Sequence, residues 1–416
     1  MKVWIETYGC TLNHADSDII RGILEEAGHT ISKDAKLVIL NTCSVKETTE
    51  NKIISKISRL KKEGKKVIVA GCLGINEKRV RSADENAVIL LPDAVSEILR
   101  AIDSAIDNEP ALIGKGEPKG PLPRVYTSPI QRIAVQEGCV GNCHFCQTKI
   151  ARPKLKSLTI REIRRIAEHA AANGALEIQL AGQDTGAYGM DIGATLPRML
   201  EEVLSVEGNF MVRLGMINPS HAKRMLPELL RLLENEKFYK FLHIPVQTGS
   251  ERVRQEMNRL HSVSDFEDVV NAARRKFPDI TISTDIIVGY PTETKEDFEK
   301  SCGLLERVSP DIVNVSKFSS RRGTYASTLK KIPTEEVKRR STKLSRLVHA
   351  LTTKRNSRYL GREAEVLITE IQKTPTGRMQ NYKQVCVEGG RELLGKKLKA
   401  KIISYNHGSL FGQIIN

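Results

Sequence analysis

Over the first hundred residues, short apolar runs alternate with amphipathic stretches. Residues 3–7, 37–41, 67–70 and 87–91 read as strands, and the stretches near 15–28, 46–63 and 93–106 read as helices. This alternation predicts a parallel sheet covered on both faces, a doubly wound α/β domain over residues 1–110. The pattern breaks over 111–130, where Pro118, Pro121, Pro123 and Pro129 are interspersed with Gly114, Gly116 and Gly120, the punctuation of a linker. It resumes with candidate strands at 133–137, 177–181, 211–215, 241–246, 282–288 and 312–317. Helical stretches near 159–173, 195–206, 222–235, 264–276 and 294–308 separate them. Six βα units predict a partial, TIM-like (β/α)6 barrel over 131–355, closed by a basic helical stretch at 333–354. Beyond Arg355 the period falls to two. Runs at 364–371, 385–388, 398–404 and 410–415, divided by Gly- and Asn-containing turns, suit a small OB-like β-barrel over 356–416.

Composition narrows this picture. A chain of 416 residues, 40% hydrophobic, can bury two or three sizeable cores. No apolar run reaches the length of a membrane span. The start, Met1-Lys-Val-Trp-Ile-Glu, reads as a strand rather than a signal peptide. Eight scattered cysteines argue for reduced thiols rather than a secreted disulfide scaffold, so a cytoplasmic location and no membrane partner are expected.

The net charge is +15, and residues 331–416 hold 18 Lys/Arg against 7 Glu, a net of +11. That skew predicts a polyanionic partner gripped by the last segment; the plainer alternative is a solvated basic face. Lys396, Lys397, Lys399 and Lys401 are the candidate phosphate contacts. Tyr359, Tyr382, Tyr405 and Phe411 are candidate stacking platforms, with core packing as the alternative for each.

The candidate chemistry lies in the cysteines. Cys139, Cys143 and Cys146 stand as Cys-x3-Cys-x2-Cys in a Gly-containing run directly after the first barrel strand, where such barrels place their sites. Three thiolates can hold three irons of a [4Fe–4S] cluster and leave the fourth open. A zinc knuckle would need a fourth Cys or His at suitable spacing, and none follows. Cys10, Cys43 and Cys72 form a second set, 33 and 29 residues apart, about one βαβ unit each, and each just beyond a predicted strand. Three equivalent strand ends converge on one crevice. Three unrelated core cysteines, or a zinc site, remain open on spacing alone. Cys302 and Cys386 have no such context and read as packing residues.

The Cys139–Cys146 spacing, with Phe145 before the last cysteine, resembles the radical S-adenosylmethionine (SAM) enzymes. The whole chain resembles the methylthiotransferase family, with a three-cysteine α/β domain, a radical SAM core and a small basic β-domain of the TRAM type. The runs 181–189, 213–219 and 243–250 are similar to its archaeal and eukaryotic members. Those members convert N6-threonylcarbamoyladenosine, at position 37 just 3′ of the tRNA anticodon, to its 2-methylthio derivative. Related branches act on isopentenyladenosine in tRNA or on an aspartate of a ribosomal protein.

The resemblance implies two [4Fe–4S] clusters, one on each cysteine triad, two SAM molecules per turnover, tRNA as partner, and an electron donor and sulfur source that the sequence does not identify. It places SAM against Gly182, Asp184, Gln247, Ser250, Ile287 and Gly289. Asp184 or backbone carbonyls would receive the methionine ammonium, Gln247 and Ser250 would lie near the ribose, and the backbone at Ile287 and Gly289 near adenine. A non-catalytic, redox-sensing Fe–S protein that binds RNA is the alternative of a different class.

Overall fold

The computed structural model describes residues 1–44 and 47–415. Six parallel strands form the N-terminal sheet in the order Thr30–Ile31, Lys2–Thr7, Leu37–Thr42, Lys66–Gly71, Val88–Leu90, Leu112–Ile113. The three predicted helices lie at Thr11–Glu26, Glu47–Lys62 and Ile98–Ile106; the first residue of the expected 46–63 stretch, Lys46, is outside the described residues. The Leu37–Thr42 strand is buried at every position, as a central parallel strand must be, and separate apolar clusters cover the two faces. A short helix, Glu77–Ala83, was not anticipated; its seven residues carry too little periodicity to be seen.

The expected linker is not free chain. Leu112–Ile113 pairs with Val88–Leu90 as the edge of the sheet. The Pro/Gly stretch then crosses the Thr11–Glu26 helix at Gly22, where any Cβ would collide with the backbone of Pro123 and Arg124.

The barrel strands are Ile130–Ala134, Glu177–Ala181, Met211–Leu214, Phe241–His243, Thr281–Val288 and Ile312–Lys317. They pair in two parallel runs of three, joined by a bridge between Val212 and Phe238, and the first and last strands stay apart. The arrangement is therefore the partial barrel expected. The first strand begins three residues earlier than its apolar run, and Gln136–Glu137 turns off to pair antiparallel with Lys156–Ser157. The 222–235 stretch is two helices, Pro219–Arg224 and Leu226–Leu232, because Pro227 at the start of the second favours a break at Met225.

The last segment closes into a five-stranded barrel of Glu363–Ile371, Pro375–Arg378, Gln384–Val387, Leu410–Ile415 and Lys397–Tyr405. Pro375–Arg378 was missed, since a Pro-Thr-Gly-Arg run carries no strand signature. This small barrel sits on the N-terminal ends of the large barrel's strands. Asp311, just before Ile312–Lys317, is fully buried and takes Arg355 at 2.9 Å and Lys383 at 3.1 Å. The Tyr382 hydroxyl donates to Glu177, at the start of its strand, at 3.2 Å.

Candidate active site

At the opposite end of the barrel the chain gathers its two cysteine triads. In the N-terminal sheet the strands Lys2–Thr7, Leu37–Thr42 and Lys66–Gly71 are adjacent, so their carboxyl ends lie side by side. Cys10 caps the Thr11–Glu26 helix, Cys43 follows the second strand directly, and Cys72 opens a 3-10 turn after the third. Two glycines permit this. Gly9 has φ +106°, and a Cβ there would stand 2.5 Å from Cys43 Cβ; Gly71 has φ +86° and would meet Asn41 and Thr42 as closely. The Asn13 amide donates to the carbonyls of Tyr8 and Thr42, both at 2.8 Å, which ties the Cys10 turn to the Cys43 strand.

Cys43 and Cys72 are buried and Cys10 is exposed. Burial, joined by the charges of Cys10 and Cys43, pushes the Cys72 thiol up to about 11, while Arg152 opposes that rise through its charge and a hydrogen bond. Arg152, which follows the barrel cysteines by six residues, thus reaches the other triad. It is fully buried and bonded to Asp16 at 2.6 Å, lies 2.8 Å from Glu137, and shares both carboxylates with Lys119. Sequence reasoning missed this node, because the two sides of its Asp16–Arg152 pair are 136 residues apart.

The Cys139–Cys146 loop is fixed by its neighbours. Phe145 packs with Val253, Met257, Tyr290 and Ala326. His144 Nδ1 lies 2.8 Å from the Glu256 carbonyl, and the Asn258 amide donates to the Asn142 carbonyl at 2.8 Å. Sulfur receives donors as well: Gly141 N–H to Cys139 Sγ at 3.2 Å, and Arg259 Nη1 to Cys143 Sγ at 3.7 Å. Burial, with Asp184 nearby, pushes the Cys139 thiol up to about 11. Beside Arg259, burial pushes the His261 imidazole down to about 3, so that ring is neutral.

Among the described residues no three His, Cys, Asp or Glu close tightly enough to hold a metal ion. The donor chemistry nevertheless fits iron–sulfur clusters, which spread thiolates more widely. Each triad consists of thiols within electrostatic reach of one another, which disfavours their joint ionisation unless cationic iron compensates.

The expected SAM contacts divide. Gly182 lies against Gln136, whose amide donates to the carbonyls of Gly138 and Asp184, so the Gly182 loop and the cysteine loop form one unit. Gln247, at φ +72°, is paired through its backbone with Asp285 and Ile287. Gly289, at φ +79°, donates its N–H to Glu293 at 2.7 Å.

Two further expected contacts also have partners within the fold. Ser250 is buried; its hydroxyl donates to Asp297 and accepts from the Val253 N–H at the start of the Glu251–Glu256 helix. The Asp184 carboxylate accepts from the backbone of Gly186 and Asn218 and lies 3.1 Å from His221.

On the small barrel, Lys396, Lys397, Lys399 and Lys401 are all exposed, and the last three share the outer face of one strand. Tyr382 is corrected: it is buried between Tyr239 and Phe241, and Tyr359 is buried too, so neither can stack on a base. Phe411 remains exposed.

Known proteins resemble the chain along its whole length. The radical SAM superfamily matches residues 133–305, the uncharacterized protein family UPF0004 residues 2–91, and the TRAM domain residues 357–415. The probable threonylcarbamoyladenosine tRNA methylthiotransferase of Archaeoglobus fulgidus is 45% identical over 100% of this chain and 99% of its own length. Its counterpart in Pyrococcus horikoshii is 37% identical, with 100% of both chains covered. The threonylcarbamoyladenosine tRNA methylthiotransferase of Homo sapiens is 33% identical over 100% of this chain and 74% of its own. Among solved structures, the radical SAM methyltransferase TsrM of Kitasatospora setae superposes with a TM-score of 0.55 at 12% identity, over 78% of this chain and 77% of that one. That likeness is one of fold.

Proposed function

Because the chain belongs to the threonylcarbamoyladenosine tRNA methylthiotransferase family, we propose that it converts N6-threonylcarbamoyladenosine at tRNA position 37 to the 2-methylthio derivative. The observation that carries this reading is the end-to-end match to archaeal enzymes of that name, with both cysteine triads at strand ends. SAM and a [4Fe–4S] cluster follow from the radical SAM fold, and Cys139, Cys143 and Cys146 would hold that cluster. A second cluster on Cys10, Cys43 and Cys72 is part of the proposal. So is the division into residues 1–110, 111–130, 131–355 and 356–416.

When bound, cluster and SAM supply a carbon radical able to take an unactivated ring hydrogen, which no side-chain base can remove. The chain's own residues hold and orient. Gly182, Asp184, Gln247, Ser250, Ile287 and Gly289 would line the SAM crevice, and Arg259 and the Gly141 N–H donate to barrel thiol sulfurs. Arg152 brings positive charge to the N-terminal thiols. The exposed lysines 396, 397, 399 and 401 offer charge to the RNA backbone, which gives affinity without sequence information. Among the described residues no helix is long and apolar enough to cross a membrane; a cytoplasmic location is proposed.

The test is anaerobic turnover of reconstituted protein on tRNA bearing threonylcarbamoyladenosine, read by nucleoside mass spectrometry. A 2-methylthio product is expected. Product only from isopentenyladenosine tRNA would transfer the chain to the other tRNA branch, and deoxyadenosine without any methylthio nucleoside would sink the reading.

A further inference from the structure

A cavity of about 590 Å³ opens where the N-terminal domain meets the barrel. One wall is the stretch after Cys72, with Ile75, Lys78 and Arg79. The other is the turn after Cys146, with Gln147 and Ile150, together with Arg322 from the loop beyond the last barrel strand. The cavity therefore adjoins segments that leave both triads. Two of its three acidic residues are paired: Glu50 is buried and holds Arg79 and Arg321, and Glu77 pairs with Arg81, while Glu47, at the exposed edge, accepts only from Ser319 at 3.0 Å. Among the described residues, Lys78 and Arg322 have no ion-pair partner, and both are exposed. Gln147, also in the lining, is only 5% exposed, and its buried amide oxygen has no donor among the described residues.

A buried acceptor without a donor is costly and is normally satisfied by a ligand or a water. Two cations without an ion-pair partner in the same lining invite an anion, and Ile75 and Ile150 add apolar surface. The threonylcarbamoyl group combines those features: a carboxylate, N–H and hydroxyl donors, and a methyl group. Lys78 and Arg322 are placed to take the carboxylate, Gln147 a donor, and the isoleucines the methyl.

We infer that this cavity is the side-chain subsite of the modified adenosine, with Lys78 and Arg322 as the residues that select an N6 substituent ending in a carboxylate. The inference rests on the proposed tRNA reaction and deepens it. It separates this chain from relatives acting on an uncharged substituent, since an isoprenoid chain would leave Gln147 and both cations unmet.

The experiment compares anticodon stem-loop RNAs bearing threonylcarbamoyladenosine or its neutral threoninamide analogue, with fully reconstituted wild-type protein and with Lys78→Gln/Arg322→Gln. Wild type should prefer the acid roughly tenfold to a hundredfold in both binding and kcat/KM, the scale of lost hydrogen bonds to a charged group. The double variant should treat acid and amide alike, while keeping its iron content and its RNA-independent deoxyadenosine formation. Arg322→Lys should restore part of the preference.

A wild-type enzyme indifferent to the amide, or a double variant that keeps the full preference, would overturn the subsite. If wild type makes no methylthio product from the acid RNA, the underlying reaction fails instead, and the two failures are told apart in the same assay. A double variant that loses iron is replaced by Arg322→Gln alone, whose side chain lies on a loop that carries no cysteine.

Discussion

In the large barrel three thiols come from one run of eight residues; in the N-terminal domain they come from three separate strand ends. The first site is a local object, held by Phe145, His144 and Asn142 against one neighbouring helix and its end. The second exists only while three strands keep their register and Gly9 and Gly71 keep their positive φ. Each has a buried arginine near sulfur, Arg259 in the barrel and Arg152 at the seam. Only the seam arginine couples the sites, because it leaves the barrel's loop and serves the other triad. A loop site should therefore tolerate changes elsewhere, whereas a sheet site should respond to the fold around it.

The largest effect should come from the cysteines. Wild type should reconstitute to about eight iron and eight sulfide per chain, and removal of either triad should leave about half. Cys143→Ala should abolish deoxyadenosine and methylthio product together. Cys43→Ala should lose the product and keep deoxyadenosine formation. Saturation near four iron in the wild type, or normal product from Cys43→Ala, would erase the contrast between the sites.

Next in size is Gly9→Val. It places a branched side chain at φ +106° and against Cys43. Strain and overpacking should cost about 2–4 kcal/mol in denaturant melts. Iron should fall toward the barrel's share alone; an unchanged iron count would show that the strand-end geometry is not what holds the second cluster.

Arg152→Met tests the coupling. Asp16 and Glu137 would lose a buried counter-charge, worth about 3–5 kcal/mol when one partner of such a network is removed. The electron paramagnetic resonance signal of the N-terminal cluster should change while that of a Cys10→Ala variant's remaining barrel cluster serves as the unperturbed reference. Equal perturbation of both signals would mean that Arg152 acts on the fold as a whole.

The smallest effect concerns Asp18, on the helix that Cys10 caps. Burial pushes its carboxyl up to about 6, against the opposing charges of Arg132, Arg21 and Arg124. A folded-state value above the unfolded one of about 4 makes its contribution complete below pH 4 and lost as pH rises through 6. Asp18→Asn should flatten the pH dependence of stability between pH 4 and 6 and gain at most about 3 kcal/mol at pH 8. Urea melts across that range decide it; an unflattened slope would assign the titration to another group.

Much of this was legible in the sequence because the signals are local. Strand and helix periods placed the sheet and the six barrel strands, and the Cys-x3-Cys-x2-Cys spacing survives in a single window. What escaped depends on distant partners. Nothing near Arg152 announces Asp16, and nothing near Tyr382 announces Tyr239 and Phe241, which turn an apparent base-stacking ring into an interdomain core residue. Ser250 and Asp184 look like ligand contacts along the chain, and the fold uses both to satisfy backbone or buried groups. Leu112–Ile113 pairs as an edge strand at the head of a Pro/Gly-rich stretch, and two residues cannot display a period.

Asp311 carries a consequence for how a long RNA is handled. Burial would raise its carboxyl, yet Lys383 and Arg355 hold it below the usual range, which locks the basic module to the far end of the barrel. A strand of six residues spans roughly 20 Å, which is the scale separating the end that carries the basic module from the end that carries the cysteines. On the proposed function the protein would work as a caliper, with the exposed lysines clamping the RNA at one jaw and the base meeting the other. An RNA of the wrong contour would then satisfy either jaw but not both, and shape would select before any base is read.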